Sequence, residues 1–94
     1  MNVKHNREDK QFEADVDGGT ALIAYSERGG DITFHHTEVP PQAEGKGVAS
    51  TLAKTALQYA RDQKLRVVPE CAYVASYVKK HTEYDDILHP DYRE

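Results

Sequence analysis

The reading turns on Gln42-Ala43-Glu44-Gly45-Lys46-Gly47, set between an extended segment ending at Val39-Pro40-Pro41 and a helical pattern from Lys46 to about Gln63. Its glycines therefore fall where a strand turns into a helix. The first turn of a helix has amides with no intrahelical partner, and the aligned peptide dipoles leave partial positive charge there. A glycine-rich turn lets the main chain wrap around an anion so that those donors converge on it. The expectation is a pyrophosphate-bearing ligand held by main chain from Glu44 to Ala49. The competing account is an ordinary loop, with Gly47 present only for close packing.

On the N-terminal side, Val3 to Arg7 reads as a polar edge piece. Gln11 to Val16 alternates apolar and polar residues, the period of a half-buried strand. Asp17-Gly18-Gly19 is a hairpin turn, and Thr20 to Glu27 is the returning strand, with Leu22 and Ala24 on one face and Ala21, Ile23 and Tyr25 on the other. Both faces are expected to be covered. Arg28-Gly29-Gly30-Asp31 turns again into Ile32 to Val39, in which alternation places Ile32, Phe34, His36 and Glu38 together. Three strands joined by short turns make an antiparallel meander, which Pro40-Pro41 ends because proline has no N–H for the ladder.

On the C-terminal side, Val48, Leu52, Ala56, Tyr59 and Ala60 recur at helical spacing. Leu65 to Val68 is a short strand stopped by Pro69, placed so that the helix carries it over to lie parallel beside the earlier strand. Cys71 to Lys80 is a second helix, with Tyr73 and Tyr77 four residues apart and Lys79, Lys80 and His81 suited to the negative end of its dipole. Tyr84, Ile87 and Leu88 dock a tail, and 91–94 is expected to be disordered. The fold class is α/β in the α+β sense, a mixed and mostly antiparallel sheet with two main helices.

The 94 residues suit one domain, 1–94, since compact domains usually run from about 50 to 250 residues. A net charge of −4 without a basic stripe argues against a nucleic-acid partner. A single cysteine, Cys71, excludes a disulfide framework and a thiolate zinc cluster, and the five histidines are dispersed apart from His35-His36. No metal is expected. No apolar run approaches the ~20 residues of a membrane span, and no signal-peptide core opens the chain. The protein is expected to be cytoplasmic, off the membrane, and a monomer or weak dimer.

Taken together, the strand ending Thr37-Glu38-Val39, the turn Gln42-x-x-Gly45-x-Gly47 opening an amphipathic helix, and Val67-Val68-Pro69-x-Cys71-x-Tyr73-x-x-x-Tyr77 resemble the small GCN5-related N-acetyltransferase-like proteins of the GNAT superfamily. The similarity covers roughly Ala21 to Leu88. It implies a minimal fold of that type with a splayed parallel strand pair, and acetyl-CoA as cosubstrate. Its pyrophosphate would lie on Gln42, Glu44, Gly45, Lys46, Gly47, Val48 and Ala49, and its pantetheine arm and acetyl group beside Thr37 and Val39. Larger members carry one or two helices between their first two strands as a wall of the acceptor site. Here Asp17-Gly18-Gly19 stands in their place, so the acceptor side is expected to be open.

The implied activity is acetyl transfer to an unidentified amine, with proteins and peptides among the candidates. The alternative is a CoA-binding or acyl-CoA-binding module without turnover. Three residues are candidates for catalysis. Cys71 lies at a helix N-terminus, where the dipole favours thiolate, although Glu70 opposes this; otherwise it is a small buried residue. Tyr77 is implied by the resemblance as the donor that protonates the leaving thiolate, and is otherwise core. Glu38 shares a strand face with His36 and is a candidate base for the amine.

Overall fold

The computed structural model describes residues 1 to 93; the last residue of the expected loose tail, Glu94, lies outside them. Strand β1 is Lys4–Asn6, β2 Gln11–Val16, β3 Gly19–Arg28 and β4 Asp31–Glu38. Helix α1 is Val48–Asp62, β5 is Arg66–Pro69 and α2 is Ala72–Lys80. The strands form one sheet in sequence order, antiparallel throughout except where β5 lies parallel to β4. The α+β class and its parallel outer pair are as expected.

Helix α1 contacts β2 to β5, and α2 lies against β4, β5 and α1. One sheet face is consequently sealed: Phe12, Ile23, Ile32, Phe34 and Val67 pack against Leu52, Ala56, Leu57 and Ala60, each at most 1% exposed. Among the described residues no helix covers the opposite face. Ala21, Ile23 and Tyr25 are buried as the alternation requires, but Leu22 and Ala24 are only half-buried, so the expected cover on both faces is absent.

A second correction concerns β4. Ala24 pairs with His36 but Tyr25 pairs with Phe34, so His35 is an extra residue, a β-bulge. Directly opposed residues share a face, so Thr37, opposite Ile23, returns to the sealed side. His36 and Glu38, opposite Ala24 and Leu22, lie on the open side rather than beside Phe34. Simple alternation fails because a bulge inserts one residue and resets the period of two.

Helix α1 begins at Val48 rather than Lys46, because Gly47 caps it in the left-handed conformation. The C-terminal segment docks closely. Thr82–Ile87 is a 3-10 turn, Leu88 bridges Val67 on the outer edge of β5, and Arg61 of α1 grips Asp86 at 2.7 Å and the Glu83 carbonyl at 2.7 Å. Pro90–Tyr92 forms a further 3-10 turn where a loose tail was expected.

Candidate functional site

Pro41–Ala43 makes a single 3-10 turn after β4, from which the chain enters the glycine turn. Gly45 and Gly47 both have φ +78°, and a side-chain carbon built on either would meet no protein atom within 4 Å. Close packing therefore does not explain either glycine. Left-handed backbone does, since it is costly for residues with a Cβ.

The amides follow from that geometry. Glu44, counted among the expected donors, gives its N–H to the Pro41 carbonyl at 3.3 Å and is already used by the 3-10 turn. From Gly45 to Ser50 the N–H groups donate to no acceptor among the described residues, and Thr51 is the first to bond, to the Gly47 carbonyl at 3.1 Å. No side chain caps α1, and its first turn carries no acidic residue. The positive end of the helix is therefore left to whatever anion approaches.

These amides border a recess of about 260 Å³ lined by Val39, Ala43, Glu44, Gly45, Gly47, Val48, Ala49, Ser50 and Tyr73. Glu44 is exposed there. Lys46 sits at the rim, 3.4 Å from the Asp17 carboxylate with both side chains largely in water. Gln42 does not line the recess; its side chain rests on the β2–β3 turn, where a Cβ on Gly18 would come within 2.3 Å of Gln42 Oε1. Tyr73 forms part of the wall. Burial raises its hydroxyl above the usual tyrosine value, partly offset by a hydrogen bond with Ser50. Tyr77, the catalytic candidate, is not among the lining residues and stacks on His81 at 4.0 Å.

Beside the recess the sheet opens. Strands β4 and β5 pair only from Asp31 with Arg66 to Phe34 with Pro69, after which β4 continues alone to Glu38. Pro69 cannot extend the ladder. Cys71, the cap of α2, bridges the fork: its N–H donates to the Phe34 carbonyl at 2.8 Å, and its Sγ lies 2.9 Å from Thr37 Oγ1. Cys71 as a whole is buried, 8% exposed. Val39, just beyond β4, has an N–H with no acceptor among the described residues. Thr37 and Val39 thus stand on the single-stranded arm of the fork.

On the open face, Glu38 and His36 approach to 3.7 Å, both mostly exposed. A neighbouring group was not foreseen from the sequence: His35 Nε2 lies 2.7 Å from Ser26 Oγ, and His35 Nδ1 lies 3.5 Å from Glu70 Oε2. His35, next after Phe34, falls on this face by ordinary alternation, and the bulge adds His36 to the same side. Among the described residues no group of three or more His, Cys, Asp or Glu is placed to hold a metal ion.

Comparison with known proteins gives one answer. Residues 11–87 match the family model described as GCN5-related N-acetyl-transferase. Protein NATD1 of Mus musculus is 34% identical over 96% of this chain and 86% of its own length. The Homo sapiens protein of that name is 34% identical over 96% and 84%, and that of Danio rerio 30% identical over 95% and 86%. A solution NMR structure of a Staphylococcus aureus protein described as GCN5-like superposes with a TM-score of 0.76, covering 95% of this chain and 88% of that one. At 24% identity this last likeness concerns the fold alone.

Proposed function

Because the chain belongs to the GCN5-related N-acetyltransferase family, we propose that it binds acetyl-CoA at the glycine turn and transfers the acetyl group to an amine. One observation carries the reading: consecutive unbonded amides, Gly45 to Ser50, border a recess at the positive end of α1. Charge-assisted hydrogen bonds from such amides to a diphosphate need no side chain. Acetyl-CoA supplies the acetyl group already activated as a thioester. In this reading Thr37 and Val39 flank the pantetheine arm along the unpaired stretch of β4, and the Val39 N–H polarises the carbonyl and stabilises the developing oxyanion. Tyr73, on the recess wall, replaces Tyr77 as the hydroxyl nearest the path of the leaving thiol. A cytoplasmic setting suits an unpaired thiol at the fork.

Direct attack by the amine is favoured over a Cys71-acyl route. Sγ is engaged with Thr37, and Cys71 as a residue is only 8% exposed. Calorimetry on a Gly45→Val variant tests the cradle: acetyl-CoA affinity should drop by at least about 10-fold as three or more charge-assisted bonds are misaligned. Unchanged affinity in a folded variant refutes it. Release of free thiol with amines then separates an enzyme from a module that binds without turnover. A Cys71→Ala variant that stops turnover while keeping acetyl-CoA affinity would restore the covalent route.

A further inference from the structure

The fork between β4 and β5 is shallow, and side chains from both arms close its floor. At its apex stands the last ladder pair, Phe34 and Pro69, both buried. The chain leaving β5 returns to β4 instead of swinging away, since the Cys71 N–H donates to the Phe34 carbonyl at 2.8 Å. Farther along β4 the bulge has brought Thr37 back to the sealed face, opposite Ile23. Its Oγ1 there lies 2.9 Å from Cys71 Sγ. No atom fits between the two, because even carbons in contact stand about 3.5–4 Å apart. The recess stops accordingly: its lining includes Val39 and Tyr73 but neither Thr37 nor Cys71.

A thiol is a weak donor and a weak acceptor, so as a stabilising bond the contact adds little. As a stop it depends only on size. Acyl chemistry decides what meets it. A thioester carbon is planar, so with its oxygen on the Val39 N–H and its sulfur toward the recess, the alkyl substituent points on down the fork toward Thr37. Two residues of extended chain separate Val39 from Thr37, about 6.6 Å. Non-bonded contact takes about 3.5–4 Å of this, and the about 3 Å left holds one or two carbons. A butyryl thioester is as activated as an acetyl one, so selection between them has to come from shape.

We propose that Thr37 and Cys71 set the length of acyl chain that the site accepts, with acetyl and propionyl groups inside the limit and butyryl and longer chains outside it. The proposal rests on the acetyl-transfer reading and names the class of donor that the same site takes. Cys71 is here a specificity-determining residue and forms no bond to the substrate.

Calorimetry on the full chain with acetyl-CoA, propionyl-CoA and butyryl-CoA tests this, with no amine present so that no turnover intervenes. The readout is the ratio of butyryl-CoA to acetyl-CoA dissociation constants within each protein, from which a general loss of CoA affinity cancels. For the wild-type chain that ratio should be at least about 10, the low end of the cost of one misfitting methylene, while propionyl-CoA stays within about 3-fold of acetyl-CoA. Cys71→Ala removes the sulfur and Thr37→Ala the hydroxyl and methyl, and each should bring the butyryl ratio to about 3 or below. Thr37→Val keeps the shape and loses the hydrogen bond, so its ratio should match wild type. A wild-type ratio near 1 overturns the limit before any variant is made. A ratio unchanged in both alanine variants overturns its assignment to Thr37 and Cys71, and a ratio that Thr37→Val lowers as far as Thr37→Ala overturns the steric account. Failure of the wild-type chain to bind acetyl-CoA at all overturns the acetyl-transfer reading itself, and the length limit falls with it.

Discussion

The two ends of α1 are built on opposite terms. At its N-terminus, amides from Gly45 to Ser50 are left without acceptors beside an open recess. Toward its C-terminus Tyr59 enters a closed aromatic group. His5 stacks on Phe12 at 4.2 Å and meets Tyr59 edge-on at 4.5 Å, while the Tyr59 hydroxyl donates to Glu27 at 2.8 Å. The His5 ring and the Tyr25 hydroxyl are hydrogen-bonded, and Arg7 lies over Tyr59. Among the described residues no buried side-chain polar atom lacks a partner. A run of open backbone amides at one end of the helix thus stands against satisfied side chains at the other. Changes at the closed end should therefore cost stability, and changes at the open end should cost binding.

The largest expected effect breaks the closed end. Phe12 is 1% exposed and contacts the rings of His5, Tyr25 and Tyr59. Phe12→Ala should destabilise by about 3–5 kcal/mol, the range for emptying an aromatic site in a core. Urea midpoints measure this directly. A loss under about 1 kcal/mol would mean that the aromatic group is not the anchor described.

Next comes the open end. Gly47→Ala forces a Cβ into φ +78°, with no protein atom in its way. The expected cost is about 1 kcal/mol, from conformation alone. Acetyl-CoA affinity should fall more than stability does, because the αL cap aims the first amides of α1. The reverse ranking would make Gly47 a structural cap only.

Much of this was legible in the chain. Gly18, Gly29 and Gly30 announced both hairpins, and the apolar period announced α1, because local chemistry decides those features. The β4 bulge has no such mark. Ile32 to Val39 reads as unbroken alternation, and only the pairing with Ala24 and Tyr25, decided by the whole sheet, shows His35 to be extra. The face of Thr37 was hidden for the same reason, and the approach of Glu70 to His35 depends on where β5 stops beside β4. Tyr73 and Tyr77 share a helical stripe, so which of them reaches the recess depends on how α2 packs, not on spacing.

Acid should loosen the closed end and leave the open one alone. Burial first, then the charge of Arg7, hold the His5 pKa below its ordinary 6.5, with Glu27 opposing. The unfolded chain thus takes up a proton at higher pH than the folded one. The stability conferred by neutral His5 is full above about 6.5 and declines as pH falls from there to the lowered folded value, below which it changes no further. A His5→Gln variant should lose this part of the slope between pH 7 and 5 in thermal melts, and an identical slope in both proteins would remove His5 as its source.

The smallest effect separates the two ends most cleanly. Lys46 and Asp17 approach to 3.4 Å, but their side chains are 60% and 78% exposed, so the pair should contribute well under about 1 kcal/mol. Asp17→Asn and Lys46→Ala should leave the urea midpoint within error. Their binding effects should have opposite signs. Removing Asp17 frees the ammonium to turn toward a diphosphate on the neighbouring amides, raising acetyl-CoA affinity about 2- to 3-fold, whereas removing Lys46 lowers it by a similar factor. Both shifts should fade by about 1 M salt, where the screening length falls to about 3 Å. Equal affinity in both variants at low salt would mean that Lys46 is only a solvated residue at the rim, and that the amides hold the anion without it.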